Sequence, residues 1–221
     1  MSLLHSGGAY SVHEASPDTP RIGVVIVTFA NWEAPEAPRK PFGAGFLSSL
    51  GYRSLHIVPA CNDWYQSEGI FEAIDAVRAR IGADTAIGYG SSMGAFGLVN
   101  YADLLGLDAA LAFSPQFSID RAVVPFEWRW KADAERLSPF PFHRLHARVQ
   151  RERLTIYVDP TLRADREHAA LISECLSCTV VECEGGGHNI LASWHAAGTL
   201  RERVAEALEK ISRAKNPSPK R

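Results

Sequence analysis

Ala86-Ile-Gly-Tyr-Gly90-Ser-Ser-Met-Gly94 contains a G-x-S-x-G sequence, Gly90-Ser91-Ser92-Met93-Gly94. The residues before it, Asp84–Tyr89, read as a strand. Those after it, from Met93 to about Leu105, read as a helix. A chain that passes from strand to helix this sharply forces the central residue into a strained conformation, and the residues two away on either side must lack bulk. Gly90 and Gly94 meet that need, and Gly88 adds room. The Ser92 hydroxyl would then stand at the start of a helix, with the Met93 N–H aimed at a developing oxyanion. The plainer alternative is a glycine turn made for close helix–strand packing.

Working outward, strands and helices alternate. Arg21-Ile-Gly-Val-Val-Ile-Val-Thr-Phe29 is a nearly continuous β-branched run, as expected of a strand buried on both faces. Further strands are expected at Arg53–Pro59, Asp108–Phe113, Leu154–Val158 and Cys178–Cys183, with an edge strand around Ala9–His13. Helices are expected near Gly43–Leu50, over Glu68–Ile81 from the spacing of Ile70, Ile74, Val77 and Ile81, over Asp165–Leu176, and over Asn189–Arg213 as one helix or a helix pair. Residues 117–150 break the alternation with Trp128, Trp130, Pro139 and Pro141, and read as an insertion or cap of short helices and loops. The expected fold class is α/β, a three-layer and mostly parallel sheet, in one domain over residues 1–215 with a disordered basic tail at 216–221. Ligand sites of such sheets lie at the carboxyl ends of the strands.

Composition narrows the function classes. The 221 residues carry 23 Lys+Arg against 25 Asp+Glu, a net charge of −2, which argues against nucleic-acid binding by bulk charge. The apolar run Val24–Val27, extended to Phe29 through one Thr, is far short of the roughly 18–20 residues of a membrane span, so no membrane partner is expected. Met1–Gly8 lacks a basic n-region and a long apolar segment, so no secretion signal is expected. Four cysteines in a chain of this length suggest reduced thiols and a cytoplasmic setting.

A serine of ordinary pKa needs a base. His188 follows the last strand in Glu184-Gly-Gly-Gly-His188, where three glycines let an imidazole reach over the sheet edge. The other histidines lie near the N-terminus, in the insertion, mid-strand or within helices. For the orienting carboxylate there are two candidates. Asp159 leaves the carboxyl end of its strand and is preferred; Asp165 is the alternative, read also as the N-cap of the next helix.

The chain order Ser92, Asp, His188, with each residue after its strand, resembles the α/β-hydrolase superfamily over roughly residues 21–212. Asp159-Pro-Thr-Leu-Arg-Ala-Asp165 looks like the Asp-Pro-Leu segment of hormone-sensitive-lipase-like esterases, whose first Asp is the triad acid. The resemblance implies a serine hydrolase, esterase-like, with a Ser-His-Asp triad, an acyl-enzyme and no cofactor. Acyl transfer with the same triad and a non-catalytic binding module are the alternatives. The family's usual His-Gly after the oxyanion strand is here Phe29-Ala30-Asn31, so the N–H of Ala30 or Asn31 would join that of Met93 in the oxyanion hole. A similar Phe–small–polar turn is found in some hydrolase-like proteins of polysaccharide or glycoprotein-export systems.

Trp32, Trp64, Tyr65 and Gln116 also fall on the active edge. Aromatics beside amides suit a saccharide ester or another small polar ester, although Trp64 and Tyr65 could simply wedge a loop onto the core. Trp128 and Trp130 could cap the pocket or form a homodimer contact. Cys175, Cys178, Cys183 and His188 have zinc-like spacing, but an extended strand would hold Cys178 and Cys183 roughly 16 Å apart, so no metal is expected.

Overall fold

The chain opens with a hairpin: β1 (Ser2–Gly7) and β2 (Tyr10–Ala15) pair antiparallel. The second matches the expected edge strand, starting one residue later and ending two later. The first has no counterpart in the sequence reading, because its side chains are mostly exposed and carry no apolar alternation. The computed structural model describes residues 1–145, 148 and 150–215. The tail at 216–221 lies outside them, as does His146.

The hairpin extends a parallel sheet. Its members are β3 (Val24–Phe29), β4 (Arg53–Pro59), β5 (Thr85–Ser91), β6 (Ala109–Phe113), β7 (Arg153–Val158) and β8 (Cys178–Glu182). The eight strands run in the order β1-β2-β4-β3-β5-β6-β7-β8. All pairings from β4 to β8 are parallel, and β2 meets β4 antiparallel. The fully buried run in β3 behaves as its composition demands, since it lies between two covered faces.

Period-two alternation divides the core. Val25, Val27 and Phe29 face one cluster, and Val24 and Ile26 face the other. The first cluster is closed by α2 (Ile70–Ile81), α3 (Met93–Leu105) and α5 (Arg163–Cys175). The second is closed by α1 (Ala44–Ser49), α6 (Ile190–Ala196) and α7 (Leu200–Lys215). The result is three layers, helix–sheet–helix. No helix among the described residues is long and apolar enough to cross a membrane.

The 117–150 insertion contains one helix among its described residues, α4 (Lys131–Leu137). It packs onto the first cluster through Phe117, Ile119, Val124, Ala134 and Leu145, which are all buried. Trp128 is exposed, whereas Trp130 turns inward against Trp32 and Trp64. The insertion is therefore anchored by apolar burial in the core cluster that α2, α3 and α5 close.

Candidate active site

Ser92 joins β5 to α3 with φ +49° and ψ −124°, a combination that L-residues rarely adopt. Its N–H donates to Phe113 O (2.9 Å) and its carbonyl accepts from Phe96 N (2.9 Å), so the strain is held from both sides. The glycines are required for the reason given above. A Cβ on Gly90 would lie 2.9 Å from Gly94 O, and one on Gly94 would lie 2.4 Å from Phe29 O. Gly94→Ala is expected to cost about 1–3 kcal/mol, because the obstruction is backbone rather than a flexible side chain. Thermal unfolding measures this loss, and an unchanged Tm would show that the close approach is not needed.

The loop after β8 carries His188 to the serine, with Ser92 Oγ and His188 Nε2 2.9 Å apart. His188 Nδ1 lies 2.8 Å from Asp165 Oδ2. A carboxylate only accepts, so the proton of the imidazole sits on Nδ1, and Nε2 is free to accept from the Ser92 hydroxyl. Burial opposes the charge on Asp165, but its hydrogen bond from His188 and the charges of His188 and Arg129 outweigh this and hold its pKa below the ordinary value.

The acid that reaches the imidazole is thus the alternative, Asp165, and not the preferred Asp159. Asp159 accepts from the Thr161 hydroxyl (2.7 Å), Thr161 N (2.9 Å) and Gly187 N (2.7 Å), which together lower its pKa. Its carboxylate braces the His188 loop from beneath instead of meeting the ring. Asp165 is not an N-cap either. The turn at Asp159–Thr161 lets α5 begin at Arg163, so Asp165 sits inside the first helical turn with its side chain fully buried.

No protein-family model and no curated protein matches the chain. Solved structures do. The capsule O-acetyltransferase of Neisseria meningitidis serogroup A superposes with a TM-score of 0.68 at 11% identity, covering 92% of this chain and 93% of that one. A lidless α/β serine hydrolase from Xanthomonas campestris gives 0.57 at 14% identity, covering 100% and 95%. The acetyl xylan esterase of Paenibacillus sp. R4 gives 0.55 at 16% identity, covering 93% and 87%. The chain has the α/β-hydrolase fold.

Within that fold, Met93 opens α3 directly after Ser92, and the first N–H groups of a helix have no intrahelical acceptor. Ala30, one of the two other candidate oxyanion donors, is not available: its N–H donates to Ile57 O at 3.0 Å and continues the sheet pairing. Asn31 Oδ1 is buried without a partner and lies over Gly94.

Trp64 and Tyr65 are fully buried. Both adopt positive φ, and Asp63 Oδ1 accepts from Tyr65 N at 3.0 Å. The Tyr65 hydroxyl donates to Ala30 O, and Trp64 packs on Phe96 and Trp130. They wedge the loop after β4, so their expected role as substrate contacts is corrected. Trp32 is partly exposed. Its indole N–H and that of Trp64 both donate to Asp133 Oδ2 of α4, at 2.8 and 3.0 Å. Gln116, three residues past β6, is buried with neither amide atom partnered. The Trp130 ring lies 6.2 Å from that of His188, and its indole N–H is buried and unpartnered.

Three residues of the insertion were not singled out from the sequence: Glu127, Arg129 and Asp133. Glu127 and Arg129 carry one visible signal, the alternation of charge with tryptophan in Glu127-Trp128-Arg129-Trp130, and Asp133 carries none. Among the described residues no group of three or more His, Cys, Asp or Glu side chains is placed to hold a metal ion.

Proposed function

We propose that this protein is a serine-dependent carboxylic-ester hydrolase acting on acylated sugars or other small polar esters. The observation that carries the reading is the unbroken relay from Ser92 Oγ to His188 Nε2 (2.9 Å) and from His188 Nδ1 to Asp165 Oδ2 (2.8 Å), on a strained strand-to-helix turn. Ser92 attacks the acyl carbonyl as its proton passes to His188 Nε2. Asp165 keeps the proton on Nδ1 and stabilises the imidazolium that forms. The N–H groups of Met93 and Asn31 receive the tetrahedral oxyanion. His188 then protonates the departing alcohol, leaving an acyl-enzyme. Water attacks this intermediate as His188 takes its proton, and His188 returns that proton to Ser92 Oγ as the bond from Oγ to the acyl carbon breaks and the acid is released. These steps need no metal or organic cofactor.

The polar character of the ester is supported by the buried, unpartnered atoms of Asn31, Gln116 and Trp130, which a hydroxyl-rich ligand would satisfy. Labelling with a fluorophosphonate, followed by a panel of short-chain aryl esters and acetylated sugars, tests the reading. Covalent labelling at Ser92 with ester turnover is the expected result. A folded protein that takes up no label is not a serine hydrolase of this kind.

Transfer of the acyl group to an alcohol instead of water is the second reading. It is supported by the higher TM-scores to the capsule O-acetyltransferase, 0.66–0.68 against 0.55–0.59 for the hydrolases, and by the fact that one of those structures was solved with CoA. An added saccharide acceptor that becomes acylated while free acid falls would favour transfer.

A further inference from the structure

The triad acid is shared with a cation supplied by the insertion. Arg129 Nη1 lies 2.6 Å from Asp165 Oδ1, the oxygen that His188 does not use, and 3.1 Å from His188 Nδ1. Because Nδ1 carries a proton for Asp165, that last approach brings two donors together and places a guanidinium beside the imidazole. The cation is itself held from the other side. Arg129 Nη2 reaches Glu127 Oε2 at 2.6 Å, and Arg129 N donates to Glu127 Oε1 at 2.8 Å.

Glu127 is fixed in turn by His168 of α5. Phe117 N donates to His168 Nδ1 (3.2 Å), so the ring proton lies on Nε2 and is given to Glu127 Oε2 at 3.0 Å. Burial opposes the charge on Glu127, yet the hydrogen bonds from His168 and Arg129 hold its pKa down at about 2. Asp165 and His168 are three apart on one face of α5 and meet Arg129 and Glu127, two apart in the insertion. Glu127, Asp165 and His168 are essentially fully buried.

We propose that Arg129 is a positioning residue of this site. Its guanidinium holds Asp165 in register for His188 and, by its charge, sets the pH at which His188 takes up a proton. Glu127 is the counter-charge that tempers it. The catalytic consequence rests on the serine-nucleophile reading given above, but the effect on the imidazole does not. Among the described residues, the charged groups facing the ring are Asp165 from α5 and Arg129 from the insertion, with Glu127 behind the latter. The turn after β5 presents only neutral Ser92, Trp130 presents an uncharged ring, and Asp159 at the end of β7 is turned to Gly187 N.

The sign follows from charge. Removing a cation beside an imidazole favours the imidazolium, so protonation occurs at higher pH. The base must be neutral to act, so reactivity of Ser92 is then lost at higher pH as well. Because the Arg129 side chain is 32% exposed and paired with Glu127, the expected size is about one pH unit and not several.

The experiment uses the full-length protein and two readouts: the His188 titration followed by NMR through its ring Cε1–H, and the pH dependence of fluorophosphonate labelling. Arg129→Met is expected to raise both midpoints by about one pH unit. Glu127→Gln, which strips Arg129 of its counter-charge, is expected to lower both. Arg129→Lys retains the cation and is expected to stay within a few tenths of the wild type. A merely structural role would not move the first two variants in opposite directions.

A His188 midpoint unmoved in folded Arg129→Met, or shifts of the same sign in Arg129→Met and Glu127→Gln, overturns the proposal. Should Arg129→Met not fold, Glu127→Gln decides alone, and an unmoved midpoint there overturns it too. Shifted NMR midpoints in a protein whose Ser92 never labels would keep the Arg129 assignment and sink the serine-nucleophile reading.

Discussion

Ser92→Ala is expected to reduce ester turnover by roughly 10⁶-fold, the scale seen when the nucleophile of a Ser-His-Asp relay is removed. Two features make this the largest effect expected in the molecule. In the proposed mechanism the hydroxyl oxygen is the one atom in the relay that forms a bond to substrate carbon. Nothing beside it can substitute, because neighbouring Ser91 closes β5 and is buried within the strand. The N–H groups of Met93 and Asn31 survive the change, so a residue of roughly 10³–10⁴ over the uncatalysed rate should persist. Fold should persist as well. The strained φ of +49° is imposed by the β5–α3 turn and remains with alanine, so Tm is expected to move little. A variant that keeps a tenth of the wild-type kcat would move the nucleophile elsewhere.

The second large effect separates the two carboxylates. Asp165→Asn is expected to lower kcat about 10⁴-fold with little change in KM. An amide can offer its NH₂ to His188 Nδ1, which then accepts; the ring proton moves to Nε2 and the serine loses its base. The amide oxygen left on the other side can still accept from Arg129 Nη1, at 2.6 Å in the wild type, but the negative charge paired with the guanidinium is gone, so some loss of Tm is expected beside the loss of rate. Asp159→Asn keeps one acceptor oxygen for Gly187 N or Thr161, and is expected to cost only about 1–3 kcal/mol of stability while leaving kcat within about tenfold. Steady-state kinetics and thermal unfolding on the two variants settle the assignment. Equal kcat losses, or a larger loss at Asp159, would contradict it.

Much of the scaffold was legible in the chain. The β-branched run ending at Phe29, the helix spacing of Ile70 to Ile81 and the glycines around Ser92 each record a local demand: burial on both faces, one apolar stripe, and absence of a Cβ. Such demands are met by residues close in sequence, so they can be read from it. The first strand escaped because its exposed side chains place no apolar pattern on the chain. The preference for Asp159 failed for a different reason. Position after a strand places a residue at the active edge, but not the direction of its carboxylate. That direction was decided by a turn at Asp159–Thr161, which starts α5 early and rotates Asp165 toward the ring.

The same division runs through the insertion. Its tryptophans were visible as either a cap or a dimer contact, and nothing local marked Arg129 as the cation that meets Asp165 across 36 residues. The order of strands and helices, the sharp turn at Ser92 and the glycine loop before His188 were determined by the sequence alone, because each follows from sterics and burial within a few neighbouring residues. The choice of acid, the loss of Ala30 as a donor and the charge placed beside the imidazole were decided only by tertiary packing. Each depends on which of several equally polar groups, distant along the chain, arrives first at a buried hydrogen-bonding position.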